Sequence, residues 1–132
     1  MAEVVVVRGD GLDSNTPQTP GLQRFEAVST RMASSEKLWM GLSVLPAGER
    51  TGVHHHGDSE TAVYVLSGVG RWWVGDNFDQ MREAHAGDFV FIPPGVVHWE
   101  ENPSETEPVR MIVSRSTQDA IVVNLDVDLD AR

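Results

Sequence analysis

Cysteine is absent from the chain, which removes disulfides from the fold and thiolate from any metal site. Positive charge is scarce: 10 Lys and Arg stand against 20 Asp and Glu, a net charge of −10 with histidine neutral. A surface of that sign repels nucleic-acid phosphates and anionic lipid, so neither a nucleic acid nor a membrane is expected as a partner. Long apolar runs are missing as well. None approaches the roughly 18–20 residues of a membrane-spanning helix, and the first residues lack the basic start and apolar follow-on of an export signal. The expected location is the cytoplasm, which a cysteine-free composition fits.

What is present points to strands. The 132 residues give one domain, residues 1–132, with length enough for a sizeable core. Twelve Gly and seven Pro punctuate short runs rich in Val, Ile and aromatics, the pattern of short strands joined by tight turns. The fold class expected is all-β, with strands near residues 4–7, 38–45, 52–56, 62–66, 70–74, 80–84, 88–92, 97–100, 109–114 and 120–124. Residues 9–21 carry Asp-Gly and Thr-Pro units without periodicity and read as a polar loop wrapping the outside. Residues 29–37 are the one place for a short helix or irregular turn, and the acidic, alternating 126–130 would fray or join an edge. Strands this short need closed or covered edges, which a barrel or double-sheet roll provides.

Against that background three consecutive histidines stand out, His54, His55 and His56, followed by Glu60 and, about forty residues on, by His98. Side chains alternate along a strand, so His54 and His56 point one way and His55 the other. Imidazole nitrogens with a carboxylate oxygen suit a divalent first-row ion such as Zn, Mn, Fe, Ni or Cu. His98 closes a stretch with its own mechanics: a turn at Gly87, an apolar strand, and a rigid Pro93-Pro94-Gly95 turn. Proline fixes φ and glycine supplies positive φ, so the turn presents His98 at a defined height. A solvated, His-rich turn is the bland alternative for residues 54–56, and the second stretch outweighs it.

These residues fall into two spaced motifs. Gly48, His54, His56 and Glu60 make the first; Gly87, Pro93, Gly95, His98 and Asn102 make the second without a gap. In both the chain resembles the cupins, with core motifs over residues 48–102. The resemblance implies a single-domain cupin-type jelly-roll β-barrel, commonly a homodimer, holding one divalent transition metal ion per chain through His54, His56, the first-motif Glu and His98. One departure concerns Glu60. Seven residues separate it from Gly68, where the family pattern has six, so Thr61 occupies the usual Glu slot. Either a bulge or the loop Gly57-Asp58-Ser59 turns Glu60 inward as a ligand, or the site has three histidines and open positions filled by water or substrate.

Glu100 lies two residues after His98, on the same strand face, and is the candidate catalytic acid or base. His55 reads as a surface residue or as a hydrogen-bond donor behind the ligands, and His85 as a surface residue. Trp39, Trp72, Trp73 and Trp99 read as core or dimer interface; Met40, Tyr64 and Phe91 are candidates to line a pocket, and Arg71 and Arg110 are solvated cations or substrate contacts. The apolar stretch 4–7 is an edge that a second subunit would cover. The functional expectation is a metal-dependent enzyme, an oxygenase or an isomerase/cyclase, acting on a small oxygen-rich substrate. A non-catalytic metal- or small-molecule-binding module is the competing class.

Overall fold

In a computed structural model the residues described are 2–119 and 121–131. Met1, Ala120 and Arg132 lie outside them, and with Ala120 the start of the strand expected at 120–124. The elements run β1 (Gln23–Val28), α1 (Thr30–Ala33), β2 (Trp39–Leu45), β3 (His54–His55), β4 (Thr61–Ser67), β5 (Val69–Val74), β6 (Gln80–His85), β7 (Phe89–Ile92), β8 (Trp99–Glu101), β9 (Val109–Arg115) and β10 (Val123–Asn124), ending in a single 3-10 turn, Leu129–Ala131. The fold is mostly β, as composition and turns imply. No helix among the described residues is long and apolar enough to cross a membrane.

Two main sheets form. One has five strands in the order β1-β2-β9-β4-β7, the other three in the order β6-β5-β8, and β3 pairs with β10. Every named pairing is antiparallel. Alternation explains how the sheets close on each other. Along β4 the side chains of Thr61, Val63 and Val65 turn in, and along β9 those of Val109, Met111, Val113 and Arg115 do so. Their apolar members meet Trp72 and Ala84 of the smaller sheet in one core cluster with Leu22, Leu45 and Ile92. Removing this apolar surface from water is the main favourable contribution to folding.

Two expectations need correction. Residues 4–7 form no strand; Val4 is 97 % exposed and Val6 67 %. Apolar continuity suggested pairing there, yet no strand among the described residues lies beside it. In the other direction, β1 was not anticipated. Its inward residues, Arg24 and Glu26, are charged, while Phe25 faces the outer side, so its hydrophobic alternation is inverted. The polar segment 9–21 runs alongside: Asp13 and Glu26 exchange backbone hydrogen bonds of 3.1 and 2.7 Å. The short helix appears as α1, capped by the Ser29 hydroxyl, which accepts from the Met32 N–H.

Candidate metal centre

The two motifs meet through the backbone. His54 and His98 form an isolated antiparallel bridge: each N–H donates to the other's carbonyl at 2.9 Å. The Gly95 N–H, in a turn where Gly95 has φ +73°, donates to the Gly57 carbonyl at 2.8 Å and ties the proline turn to the histidine loop. Asn102 closes the motif from within. Its side-chain nitrogen donates to the Leu45 and Glu107 carbonyls at 3.1 and 2.7 Å, and its oxygen accepts from the Ser104 N–H. Residues far apart in sequence are thus placed side by side by backbone bonds and braced by the Asn102 side chain.

His54, His56 and His98 are all buried, and one ligand nitrogen from each lies within 4.8 Å of the others. All three rings are oriented in the same way. Nδ1 of His54 is 2.8 Å from the Gly52 carbonyl, Nδ1 of His56 2.8 Å from the Ile121 carbonyl, and Nδ1 of His98 2.9 Å from the Val96 carbonyl. A carbonyl only accepts, so each Nδ1 carries the proton and each Nε2 is left with a lone pair. Backbone carbonyls commonly hold metal-binding imidazoles in this way. Nε2 of His54 and of His98 is buried with no hydrogen-bond partner. An unsatisfied buried acceptor costs about 1–3 kcal/mol, and a divalent ion would relieve it. The donor set therefore fits such an ion.

Two of the rings, His56 and His98, resist protonation. Burial, with the Arg115 charge next, lowers His56 to about 2, and burial, with His54 next, lowers His98 to about 4. Neutral imidazole is the ligating form. Glu100 is buried on the same face, its Oε2 3.5 Å from His54 Nε2. Burial pushes its carboxyl up, and the opposing influence of His54, with His98 and His56 behind it, acts only when those rings carry a proton. Its backbone N–H donates to the Thr51 hydroxyl at 2.9 Å.

Glu60 is not brought to the cluster. Its side chain is exposed, and its backbone is fixed by bonds to Ser116 at 2.9 and 3.1 Å. Thr61, paired with both Arg115 and Ile92, is the inward residue, so strand parity resolves the one-residue slip in favour of a three-histidine cluster. His85 is exposed beside Glu83, and Arg71 pairs with Glu83 at the surface. Trp39 and Trp72 are core; Trp73 and Trp99 stack at 5.6 Å, half-buried. Phe91 lines a 180 Å³ apolar cavity that reaches His98, whereas Met40 is on the outside and Tyr64 packs on Phe89.

Two site residues escaped the sequence reading: Arg24 and Arg115, 1 % and 3 % exposed. Arg115 Nη2 lies 3.2 and 3.5 Å from the two nitrogens of His56, and the guanidinium sits 5.1 Å over the Trp39 ring. Arg24 donates to the Pro17 carbonyl at 2.8 Å and the Thr19 hydroxyl at 3.2 Å. Burial pulls Arg24 down to about 10 and Arg115 to about 9, which leaves both charged at neutral pH. The parity of β9 would have exposed Arg115, since it follows Val109, Met111 and Val113 at every second position.

Comparison with known proteins agrees with this geometry. The cupin domain family matches residues 41–115, more than half of the chain. An uncharacterised protein of Methanocaldococcus jannaschii is 37 % identical over 60 residues, 46 % of each chain. The chain spans about half the length of the curated relatives it matches. The polyketide cyclase RemF of Streptomyces resistomycificus superposes with a TM-score of 0.72 at 19 % identity, over 98 % of this chain and 89 % of that one. Oxalate decarboxylase of Bacillus subtilis, a protein with Mn(II) centres, superposes with a TM-score of 0.69 at 22 % identity, over 86 % of this chain and 30 % of that one. At such identities the likeness is one of fold.

Proposed function

The chain belongs to the cupin domain family, and from that premise we propose that it is a metal-dependent enzyme, an oxygenase or an isomerase/cyclase, acting on a small oxygen-rich organic molecule. The observation that carries this is the three buried imidazoles, each with Nδ1 at a backbone carbonyl and with one ligand nitrogen apiece within 4.8 Å of the others. A divalent ion there would supply a Lewis-acid centre with positions open to substrate oxygens or, if redox-active, to O₂. His54, His56 and His98 would hold that ion, each steadied by the backbone carbonyl at its Nδ1. Glu100 stands at its edge, its carboxyl group 3.5 Å from His54 Nε2 and placed to exchange a proton with a bound substrate. The apolar cavity reaching His98 would take the hydrocarbon part of the substrate and keep water out.

Fold neighbours that include a polyketide cyclase and a manganese-containing decarboxylase support metal chemistry on oxygenated substrates without selecting a reaction. A homodimer and a cytoplasmic location belong to the same proposal. Phe89 and Phe91, 80 % and 58 % exposed on edge strand β7, offer the apolar face a second copy would cover.

Metal analysis is the direct test. Protein from metal-supplemented medium should carry about one divalent ion per chain and consume O₂ or isomerise substrate within a panel of flavonols, β-diketones and hydroxy acids. Absence of any stoichiometric ion would overturn the metal reading. An ion with binding but no turnover across the panel would select the non-catalytic module.

A further inference from the structure

The three imidazoles of the cluster are not held alike. His54 and His98 each direct Nδ1 to the carbonyl two residues earlier in their own segment, Gly52 at 2.8 Å and Val96 at 2.9 Å. His56 is held from 65 residues away, by the Ile121 carbonyl at 2.8 Å. Two rings are therefore set by the loops that carry them. The third depends on a separate segment docking against it.

That segment, residues 121–125, is a narrow strap. Ile121 is buried outside the main core cluster. Beyond it the strap meets the histidine strand through the two residues of β10, Val123 opposite His55 and Asn124 opposite His54, and through the Leu125 N–H, which donates to the Val53 carbonyl at 2.9 Å. The Asn124 side chain donates to the Gln18 carbonyl at 2.8 Å. Val122 and Val123 are half-buried, and Asn124 and Leu125 are exposed. A segment with few buried contacts and so short a pairing opens at a lower free energy than the core strands do.

A second group competes for the same ring. Arg115 Nη2 lies 3.2 Å from His56 Nδ1 and 3.5 Å from Nε2. A guanidinium only donates and a carbonyl only accepts. With the Ile121 carbonyl in place the ring proton sits on Nδ1, Nε2 keeps its lone pair, and the arginine is left with the longer contact. Without that carbonyl the shorter contact would make Nδ1 the acceptor and move the proton to Nε2, the ring staying neutral throughout. Which nitrogen is free to ligate is set by the bond the other one makes.

We propose that the strap 121–125 is the positioning element of the metal centre: docked, it fixes His56 in the tautomer that leaves Nε2 to an ion; lifted, it yields the ring to Arg115 and weakens the site. Its effect on the tautomer stands on the geometry of the chain, and its effect on metal affinity rests on the metal reading above. Metal binding and strap docking then favour each other by the same factor.

Long-range proton–nitrogen spectra of the imidazoles in chelated protein read the tautomers, and competition with a chelating dye reads zinc affinity. Combining Ile121→Gly, Asn124→Gly and Leu125→Pro removes the buried anchor, the Gln18 bond and the Val53 bond, and leaves every side chain of the cluster in place. In that variant His56 should change from Nδ1–H to Nε2–H while His54 and His98 keep Nδ1–H, and zinc affinity should fall about 10–100-fold. Leu45→Ala, which weakens the core instead, should change neither reading. In the wild type, zinc should slow hydrogen exchange of the Leu125 N–H by that same factor.

Exchange at Leu125 indifferent to zinc in a wild type that binds it would overturn the proposal without recourse to any variant. Retention of Nδ1–H on His56 in the strap variant, whether or not affinity falls, would overturn it by reducing the strap to a stabilising element. A change of tautomer with zinc affinity intact would overturn the link to the metal. The tautomer change in a protein that takes up no zinc even as wild type would support the hold of the strap on His56 and remove the metal reading instead.

Discussion

The inward residues of β9 change character along the strand: Val109, Met111 and Val113 are apolar, and Arg115 is a cation. Its antiparallel neighbour β4 repeats the change, Val65 and Val63 giving way to Thr61 opposite Arg115. One end of the interior, around Leu45, Val65 and Val109, is dry and at most 1 % exposed. The other holds three histidines, Glu100, Arg24 and Arg115, with several polar atoms unpartnered. Stability is made at the first end and spent at the second. The same strands serve both, which lets the apolar end hold a costly site rigid.

If that division holds, the two ends respond to different substitutions. His98→Ala should cost the most at the polar end: metal affinity should fall by at least about a thousandfold, some 4 kcal/mol, given that even outer hydrogen-bond partners of ligands are worth about 10–100-fold. Metal content after dialysis reads this directly, and retention of an equimolar ion would break the comparison. Leu45→Ala belongs to the other end. Leu45 is 1 % exposed within the core cluster, so truncation should cost roughly 2–5 kcal/mol of unfolding free energy in denaturant. Metal stoichiometry below the unfolding transition should be unchanged.

Acid should attack the polar end. His98 and His56 have folded values of about 4 and about 2, both below the ordinary 6.5. A depressed folded value means the unfolded chain binds protons that the folded one refuses as pH falls below about 6.5. Stability is thus fully present above pH 6.5 and is lost on acidification, by roughly 3 kcal/mol at pH 4 from His98 alone. Chelated protein unfolded in urea between pH 7.5 and 4 checks it, and a flat profile would mean that the rings are not buried neutral. A smaller effect of opposite sign is expected at Thr61. Its hydroxyl is buried without a partner and its shape matches valine, so Thr61→Val should stabilise the chelated protein by about 1 kcal/mol.

The apolar end and the motif histidines were legible because both obey simple periodicities. Val63, Val65, Val109, Met111 and Val113 alternate as buried strands do, and Gly87, Pro93 and Gly95 specify a turn before any partner is known. What could not be read is what tertiary context decides. β1 was invisible because its inward side is Arg24 and Glu26, so hydrophobicity marks the wrong face. Residues 4–7 misled for the converse reason: four consecutive valines favour a strand, but extended pairing needs a neighbour and none among the described residues takes that role. Arg24 and Arg115 carry no motif. Only closure of the sheet around them shows that two ordinary-looking arginines are buried.

The smallest effect expected is the most discriminating for the site. Sequence left Glu60 as a ligand if a bulge or the loop 57–59 turned it inward. The register irregularity that does occur in the β4–β9 pairing falls between Val65 and Ser67, beyond the point where it could reorient Glu60. From Thr61 to Val65 the alternation is unbroken, and Thr61, Val63 and Val65 all face in. Residue 60 therefore faces out, with its backbone held by Ser116 and its carboxylate free in solvent. Glu60→Gln should leave metal stoichiometry and affinity unchanged and alter stability by no more than about 0.5 kcal/mol. A tenfold loss of metal affinity in that variant would mean that the loop before β4 turns inward on loading, and that the polar end completes itself only with the ion in place.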